Sequence, residues 1–282
     1  MILLGRRSVF AIEVLPLPGG PPDGDRSAAL TWCGWAMWVN GCNISAHTRL
    51  DTDSVGMTVN WPAVYLARWF VQCWPALFDR AGWPIPTRAR SARGVCAELD
   101  RRSSESDDEE LLEVRDAFVL SHDLRSGSGG GAYPGVFFSR DGDLVTIAWS
   151  SPADERFVFH RHEGEADIPA GDFADVVARF VGWVLALLPE GESGQVAADR
   201  KKLGDWLAHR TTPAAARAVV LGQAGLSEEA WAELERAARP GTFEEFFALP
   251  PGWDHAGGDV SPFLSPIAMA FRTVSRGLEP GD

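Results

Sequence analysis

His160 and His162 are two histidines at a spacing that is found in metal sites. Alternate residues of a β-strand point to the same face, so the two imidazoles would lie side by side, as in some metal sites. A third ligand has to come from elsewhere, and His122 and Asp143 are the candidates. Two surface histidines on an edge strand are the alternative that we favour. The sequence therefore predicts no metal and no cofactor.

Other catalytic signatures are missing or incomplete. His162-Glu163 begins like the zinc peptidase signature H-E-x-x-H, but position 166 is alanine. The SGSGGG segment at 126–131 lacks the G-K-[ST] ending of a phosphate-binding loop, and no G-x-S-x-G nucleophile motif occurs. No catalytic residue is predicted. A hydrolase or metal-dependent enzyme that uses His122, His160, His162 and nearby acids remains the alternative, and it requires those groups to converge in one pocket.

Tryptophans and a short arginine cluster favour binding over catalysis. The chain has 12 tryptophans against 2 tyrosines, and tryptophan is enriched at the centres of protein interfaces. Most of them should lie in the core, with one or two exposed beside an apolar patch. The arginine cluster, formed by Arg88, Arg90 and Arg93, is either a solvated arm or a docking patch for an acidic partner. The predicted partner-binding residues are Trp35, Trp83, Arg88, Arg90 and Arg93.

Net charge argues against two classes of partner. The formal charge is −13, and it is uneven, because residues 1–100 hold 9 basic and 8 acidic residues and the rest holds 17 basic and 31 acidic. Lysine and arginine supply most of the affinity for phosphate backbones and anionic lipids, so neither nucleic acid nor membrane is an expected partner. The four cysteines show neither C-x-x-C spacing nor the density of a disulfide scaffold, which favours a reduced, cytoplasmic protein.

The most prominent predicted element is a tryptophan-rich helix over 62–78. Its apolar residues recur at i, i+3 and i+4, on a face wide enough to be covered from more than one side. Before it, the segment 8–15 is typical of a strand, and Asn40-Gly41 indicates a two-residue hairpin turn. In that register Val39 faces Cys42, and Cys33 faces Thr48.

The later chain divides into three parts. Residues 86–108 are polar and poor in large apolar groups, which predicts a flexible linker or loop. Residues 109–190 predict an amphipathic helix, a hairpin at Asp141-Gly142 with the 156–164 segment as a third strand, and a second helix from Asp172. Residues 191–282 predict helices over 196–209 and 213–222, and further ones with caps at Ser227 and Thr242.

Together these patterns predict an α+β fold. A Trp-rich antiparallel sheet packs on the central helix within residues 1–85, and a second small antiparallel sheet and a C-terminal helical region follow. Three segments, VNGCNISAHT, VNWPAVYLARWFVQCWPALF and AYPGVFFSRDGDLVTIAW, together resemble an uncharacterised bacterial module that precedes IrrE/ImmA-type metallopeptidase domains in stress and defence proteins.

That resemblance covers roughly residues 8–250, and the peptidase motif itself is missing. It implies the accessory part of such a system without its catalytic part. The predicted function is therefore a non-catalytic protein-binding or regulatory module of a bacterial stress or antiviral-defence system, and the resemblance implies a link to a protease. The predicted partner is another protein.

Overall fold

The fold combines helices with three antiparallel sheets, so the predicted α+β class is confirmed. The computed structural model describes residues 1–17, 26–78, 83–105, 109–127, 133–151 and 157–209. In chain order the elements are β1 (Ile2–Arg6), β2 (Phe10–Pro16), α1 (Arg26–Leu30), β3 (Trp32–Val39), β4 (Cys42–Asn43), β5 (His47–Arg49), β6 (Ser54–Gly56), β7 (Val59–Pro62), α2 (Ala63–Phe78), α3 (Ala92–Ser104), α4 (Glu109–His122), a 3-10 helix (Leu124–Gly127), β8 (Gly135–Asp141), β9 (Leu144–Ser150), β10 (Phe157–Phe159), β11 (Glu163–Pro169), α5 (Ala170–Leu187) and α6 (Gln195–His209).

The first sheet has the strand order β1-β2-β3-β4, with β7 also paired to β3. The predicted turn is confirmed, because Val39 pairs with Cys42 and the φ angles of Asn40 and Gly41 are 45° and 81°. The predicted hairpin register extends over only two pairs, Val39 with Cys42 and Trp38 with Asn43. Cys33 pairs with Trp61 of β7, so the predicted pairing of Cys33 with Thr48 is wrong. A hydrogen bond of 3.0 Å from the Met37 amide to Ser45 Oγ marks where the chain leaves the hairpin.

The second sheet joins distant parts of the chain, in the order β10-β5-β6. Val158 pairs with Thr48, and Thr48 pairs with Val55. The segment that contains β10 was predicted to extend the hairpin of residues 135–150, and this prediction is wrong. The strand beside that hairpin is β11, which pairs with β9 in the third sheet. The hairpin itself closes one residue later than predicted, with Gly142 and Asp143 between the paired Asp141 and Leu144.

The third sheet, β11-β9-β8, is covered on both faces. Opposed residues of an antiparallel pair lie on one face, so Phe138 with Ile147 shares a side, and Phe137 with Ala148 shares the other. The first pair belongs to the main core with α2 and α5, and the second belongs to a smaller core with α3 and α4. Two-sided burial explains why these strands carry apolar residues without clean alternation.

Helix α2 is the centre of the main core, as its wide apolar face predicts. It packs against α1, α4, α5 and α6 and against strands of the first and third sheets. Thr31 secures its start, since the Ala63 amide donates to the Thr31 carbonyl at 2.8 Å and the Val64 amide to Thr31 Oγ1 at 3.2 Å. Two of the amides that a helix start leaves without intrahelical partners are thereby satisfied. Pro75 lies inside the helix, which continues to Phe78.

The predicted linker over 86–108 is largely a helix, and its description as a flexible segment is wrong for α3. Small and medium apolar residues of α3 are buried at i, i+3, i+4 and i+7, namely Ala92, Val95, Cys96 and Leu99. They meet Phe118 and Val114 of α4 in the smaller core. This apolar face is narrow and is surrounded by charged residues, which is why composition alone indicates a linker. At the C-terminal end, α5 and α6 confirm two predicted helices, and the predictions for 213–222, Ser227 and Thr242 lie outside the described residues.

Candidate functional site

The three histidines considered as metal ligands lie on separate elements. His122 ends α4 in the smaller core, where it is buried, stacks on Phe118 with ring centroids 4.0 Å apart and hydrogen-bonds Ser121 at 2.8 Å. His160 is exposed after β10 and its Nε2 lies 3.0 Å from Thr48 Oγ1. His162 is exposed before β11. Within the described ranges no three histidine, cysteine or acidic side chains are grouped as a metal ion requires. The convergence of His122, His160 and His162 that the alternative hydrolase hypothesis requires is therefore not found among the described residues.

Of the two tryptophans predicted to bind a partner, one belongs to the core. Trp35 is 1% exposed, stacks on Tyr133 and donates from Nε1 to its hydroxyl at 3.1 Å. Because this ring is buried in the main core, the prediction that Trp35 contacts a partner is wrong. Trp83 is half-buried and packs edge-on against Phe118, with ring centroids 6.1 Å apart. Part of its ring is thus accessible just before the arginine cluster.

The three arginines of the predicted patch divide into one paired residue and two that have no partner among the described residues. Arg93, in the first turn of α3, donates to Glu163 at 2.9 Å and to the Trp149 carbonyl at 3.4 Å. Arg88 and Arg90 precede the helix in an extended segment and are exposed. Arg93 therefore fastens α3 to the third sheet, while the guanidinium groups of Arg88 and Arg90 are unpaired within the described part of the chain.

A groove of about 800 Å³ lies between this segment and one face of α3. We call it the basic groove. One wall is formed by residues 86–89 and the other by residues that recur along α3 at the spacing of a single helix face, namely Gly94, Ala97, Glu98, Arg101 and Arg102. The floor is shallow because Ala89, Gly94 and Ala97 carry little or no side chain. A Cβ added to Gly94 would lie 3.0 Å from the Ala89 Cβ.

On the α3 wall of the basic groove, one glutamate accepts hydrogen bonds from two arginines. Glu98 accepts from Arg101 at 3.0 and 3.1 Å and from Arg102 Nε at 2.8 Å. These hydrogen bonds lower the pKa of Glu98 to about 2, and those from Arg101 contribute most. Arg102 also donates to the Pro86 carbonyl at 2.8 Å, which ties the two walls together. With Arg88, the lining has three cations and one anion.

A second charged cluster, between α2 and α6, was not anticipated from the sequence. Arg68 donates from Nε to Asp199 at 2.6 Å, and Gln195 donates to the same carboxylate at 3.1 Å. Asp199 is 3% exposed. Lys202 lies one turn further along α6, and burial, with a smaller effect of the Arg68 guanidinium, lowers its pKa to about 8. Arg68 and Asp199 are 131 residues apart in sequence, so no local pattern could have linked them.

Lys202 provides a direct test of this electrostatic environment. In a Lys201→Arg variant it is the single lysine of the chain, and its side-chain resonances should titrate with a midpoint near pH 8 in an NMR experiment. The desolvated ammonium loses its proton more easily than an ammonium in water. The Lys202→Arg variant, which reports Lys201, is the matched control. A midpoint for Lys202 near the ordinary value of 10.5 would contradict the burial of its ammonium.

Comparison with known proteins leaves the function to be argued from this chain's own residues. No protein-family model and no curated protein sequence matches the chain. The solved structure of CdiI from Burkholderia dolosa is similar over 64% of this chain and 99% of its own, with 16% identity and a TM-score of 0.35. Values this low carry no inference about function. None of the described helices combines the length and apolarity that crossing a membrane requires.

Proposed function

We propose that this protein is a non-catalytic protein-binding module, and that its contact surface consists of Trp83, Arg88, Arg90 and the basic groove. The observation that supports this most directly is the pair Arg88 and Arg90, which are exposed and have no partner among the described residues. Elsewhere in a chain of net charge −13 many exposed arginines are paired with acids, as Arg6 is with Asp172 and Arg179 with Asp175. Two neighbouring unpaired cations in a fixed position suit an acidic surface on another protein.

Trp83 adds an apolar anchor to this surface. Its ring packs edge-on against Phe118, and the residue as a whole is half-buried. A half-buried aromatic ring next to arginines is the composition typical of an interface hot spot, because ordering it on binding costs little side-chain entropy. The Arg68–Asp199–Lys202 cluster, in contrast, lies at the packed α2/α6 interface and is explained by the structure it holds together.

The biological setting proposed here is a bacterial stress or defence system linked to a peptidase. The support for it is the resemblance of three segments of the chain to the module that precedes IrrE/ImmA-type metallopeptidase domains. In that setting the protein would present its basic groove to a regulatory or catalytic partner and would itself perform no chemistry.

Affinity purification with two matched variants tests the proposal. Tagged wild-type protein, Arg88→Gln/Arg90→Gln and Arg161→Gln/Arg179→Gln are used to capture partners from a lysate of the host bacterium. The second double variant removes two cations from exposed positions elsewhere. We expect one partner with wild type and control, and an affinity about tenfold weaker with Arg88→Gln/Arg90→Gln, since each exposed charge pair contributes up to about 1 kcal/mol.

The measurement on the purified pair is a titration by calorimetry, with circular dichroism to show that each variant is folded. Equal affinity of all three proteins for the partner would place the contact elsewhere. Turnover of a small molecule, or a stoichiometric metal in the purified protein, would favour the hydrolase alternative instead.

A further inference from the structure

We propose that the basic groove binds an extended acidic peptide segment and that Glu98 is a built-in competitor, which occupies Arg101 and Arg102 until an incoming carboxylate replaces it. This inference rests on the proposed function and specifies the chemistry of the partner. It also predicts that removing one negative charge, at Glu98, strengthens binding, whereas removing a cation weakens it.

The shape of the groove fits a peptide main chain. Its α3 wall runs from Gly94 to Arg102, which at 1.5 Å per residue is about 12 Å. An extended chain rises about 3.3 Å per residue, so about four residues would lie along it. Ala89 and Gly94 pack against each other, since a Cβ added to Gly94 would lie 3.0 Å from the Ala89 Cβ, so a peptide would lie over these small residues and beside Ala97 rather than between the two walls. Among the described residues no aromatic side chain lines this groove, so these residues offer no surface on which nucleic-acid bases could stack.

The charges of the groove fit carboxylates. Its lining has a net charge of +2, from three arginines and one glutamate, within a chain of net charge −13. At physiological ionic strength charges are screened over about 8 Å, so a ligand in the groove is affected mainly by the lining and by Glu105, which accepts from Arg101 at 2.6 Å and reduces the local positive excess from +2 to +1. Arginine pairs well with carboxylates because its planar fork can donate two parallel hydrogen bonds.

Glu98 already makes the contacts that such a ligand would make. It accepts three hydrogen bonds from Arg101 and Arg102 at 2.8 to 3.1 Å. Arg88 is the groove cation that has no partner among the described residues. A ligand carboxylate therefore meets Arg88 first and then competes with Glu98 for the other two. Arg101 also donates to Glu105 at 2.6 Å and Arg102 to the Pro86 carbonyl at 2.8 Å, so each arginine keeps a second partner when Glu98 is replaced.

The experiment measures binding of a fluorescein-labelled octapeptide of alternating glutamate and serine by fluorescence anisotropy, with the glutamine–serine octapeptide as the neutral probe. Wild type is compared with Glu98→Gln, Arg88→Gln and the distant control Arg161→Gln. Exposed ion pairs change affinity by a few-fold. We therefore expect Glu98→Gln to bind the acidic probe about threefold more tightly and Arg88→Gln about threefold more weakly, with the control unchanged.

Glu98 and Arg88 are both at the surface, and equal melting temperatures of the variants would show that the differences arise in binding. Unchanged or weaker binding by Glu98→Gln, equal binding of the neutral probe, or tighter binding of a single-stranded oligonucleotide than of the acidic peptide would each overturn the inference. If Arg88→Gln/Arg90→Gln loses its protein partner while the acidic probe fails, the proposed function stands and the peptide inference is wrong. If the probe binds as expected and no protein partner depends on these arginines, the proposed function is the one that fails.

Discussion

Replacing Trp69 by alanine should lower the free energy of unfolding by about 3 to 5 kcal/mol, the cost of emptying a large aromatic site in a core. Trp69 lies in the middle of α2 and is 3% exposed. Its ring contacts Phe70 and Phe138, with centroids 5.3 and 5.6 Å away. Its Nε1 also donates to the Leu120 carbonyl at 3.3 Å and to Ser126 Oγ at 3.2 Å. The substitution thus leaves a cavity and removes a link between α2 and the end of α4.

Urea denaturation followed by circular dichroism measures this loss. Leu112→Ala on α4 is the control, because Leu112 is 41% exposed and its truncation should change stability by no more than about 0.5 kcal/mol. Similar midpoints for Trp69→Ala and the parent would mean that α2 is not the centre of the core.

Sequence patterns predicted those elements whose signals are local. The i, i+3, i+4 repeat of large apolar residues predicted α2 and α5. Residues with this spacing form one apolar face on a helix, and a wide apolar face has to be covered by other elements. Asn40-Gly41 located a turn, since both positions have positive φ. In each case a few neighbouring residues determine the local structure.

Features that depend on distant partners were not predictable. β10 pairs with β5, more than a hundred residues earlier, and no property of Phe157–Phe159 identifies that partner. Cys33 pairs with β7 rather than with the continuation of its own hairpin, because the chain turns away after Asn43. α3 was read as a linker because its buried residues are small, and its helix is supported by packing on α4 and by the pairs of Glu98 with Arg101 and Arg102.

The candidate site was predictable in part for the same reason. The charge and spacing of Arg88 and Arg90 marked a possible docking patch, and the structure places both on the surface. The other wall of the groove exists only because α3 is a helix, so Glu98, Arg101 and Arg102 could not be recognised as its lining. Trp35 was wrongly predicted to lie on the binding surface, because composition indicates that some tryptophans are exposed and does not indicate which ones.

Arg68→Met should be the most damaging change among the charged residues, with a loss of about 3 to 5 kcal/mol. It removes the guanidinium that pairs with the buried carboxylate of Asp199, which keeps the hydrogen bond from Gln195 and the weaker attraction of the Lys202 ammonium. Desolvation alone would raise the pKa of Asp199, but the hydrogen bonds from Arg68 and Gln195 outweigh it, and the pKa is lowered from its ordinary value of 3.8. Urea titrations of wild type and Arg68→Met at neutral pH measure the difference.

The double variant Arg68→Met/Asp199→Leu separates the loss of a pair from the burial of an unpaired charge. Because apolar residues of similar size often replace a buried ion pair at little cost, the double variant should be markedly more stable than Arg68→Met. The pH dependence has a definite sign. A carboxyl whose pKa is lowered by folding contributes stability above its unfolded pKa, and this contribution disappears as the pH falls through the lowered value. The gap between wild type and Arg68→Met should therefore be widest at neutral pH and narrow below about pH 4. A gap that stays constant from neutral to acidic pH would assign the effect to the lost contact of the Arg68 guanidinium with the Tyr65 ring rather than to its pairing with Asp199.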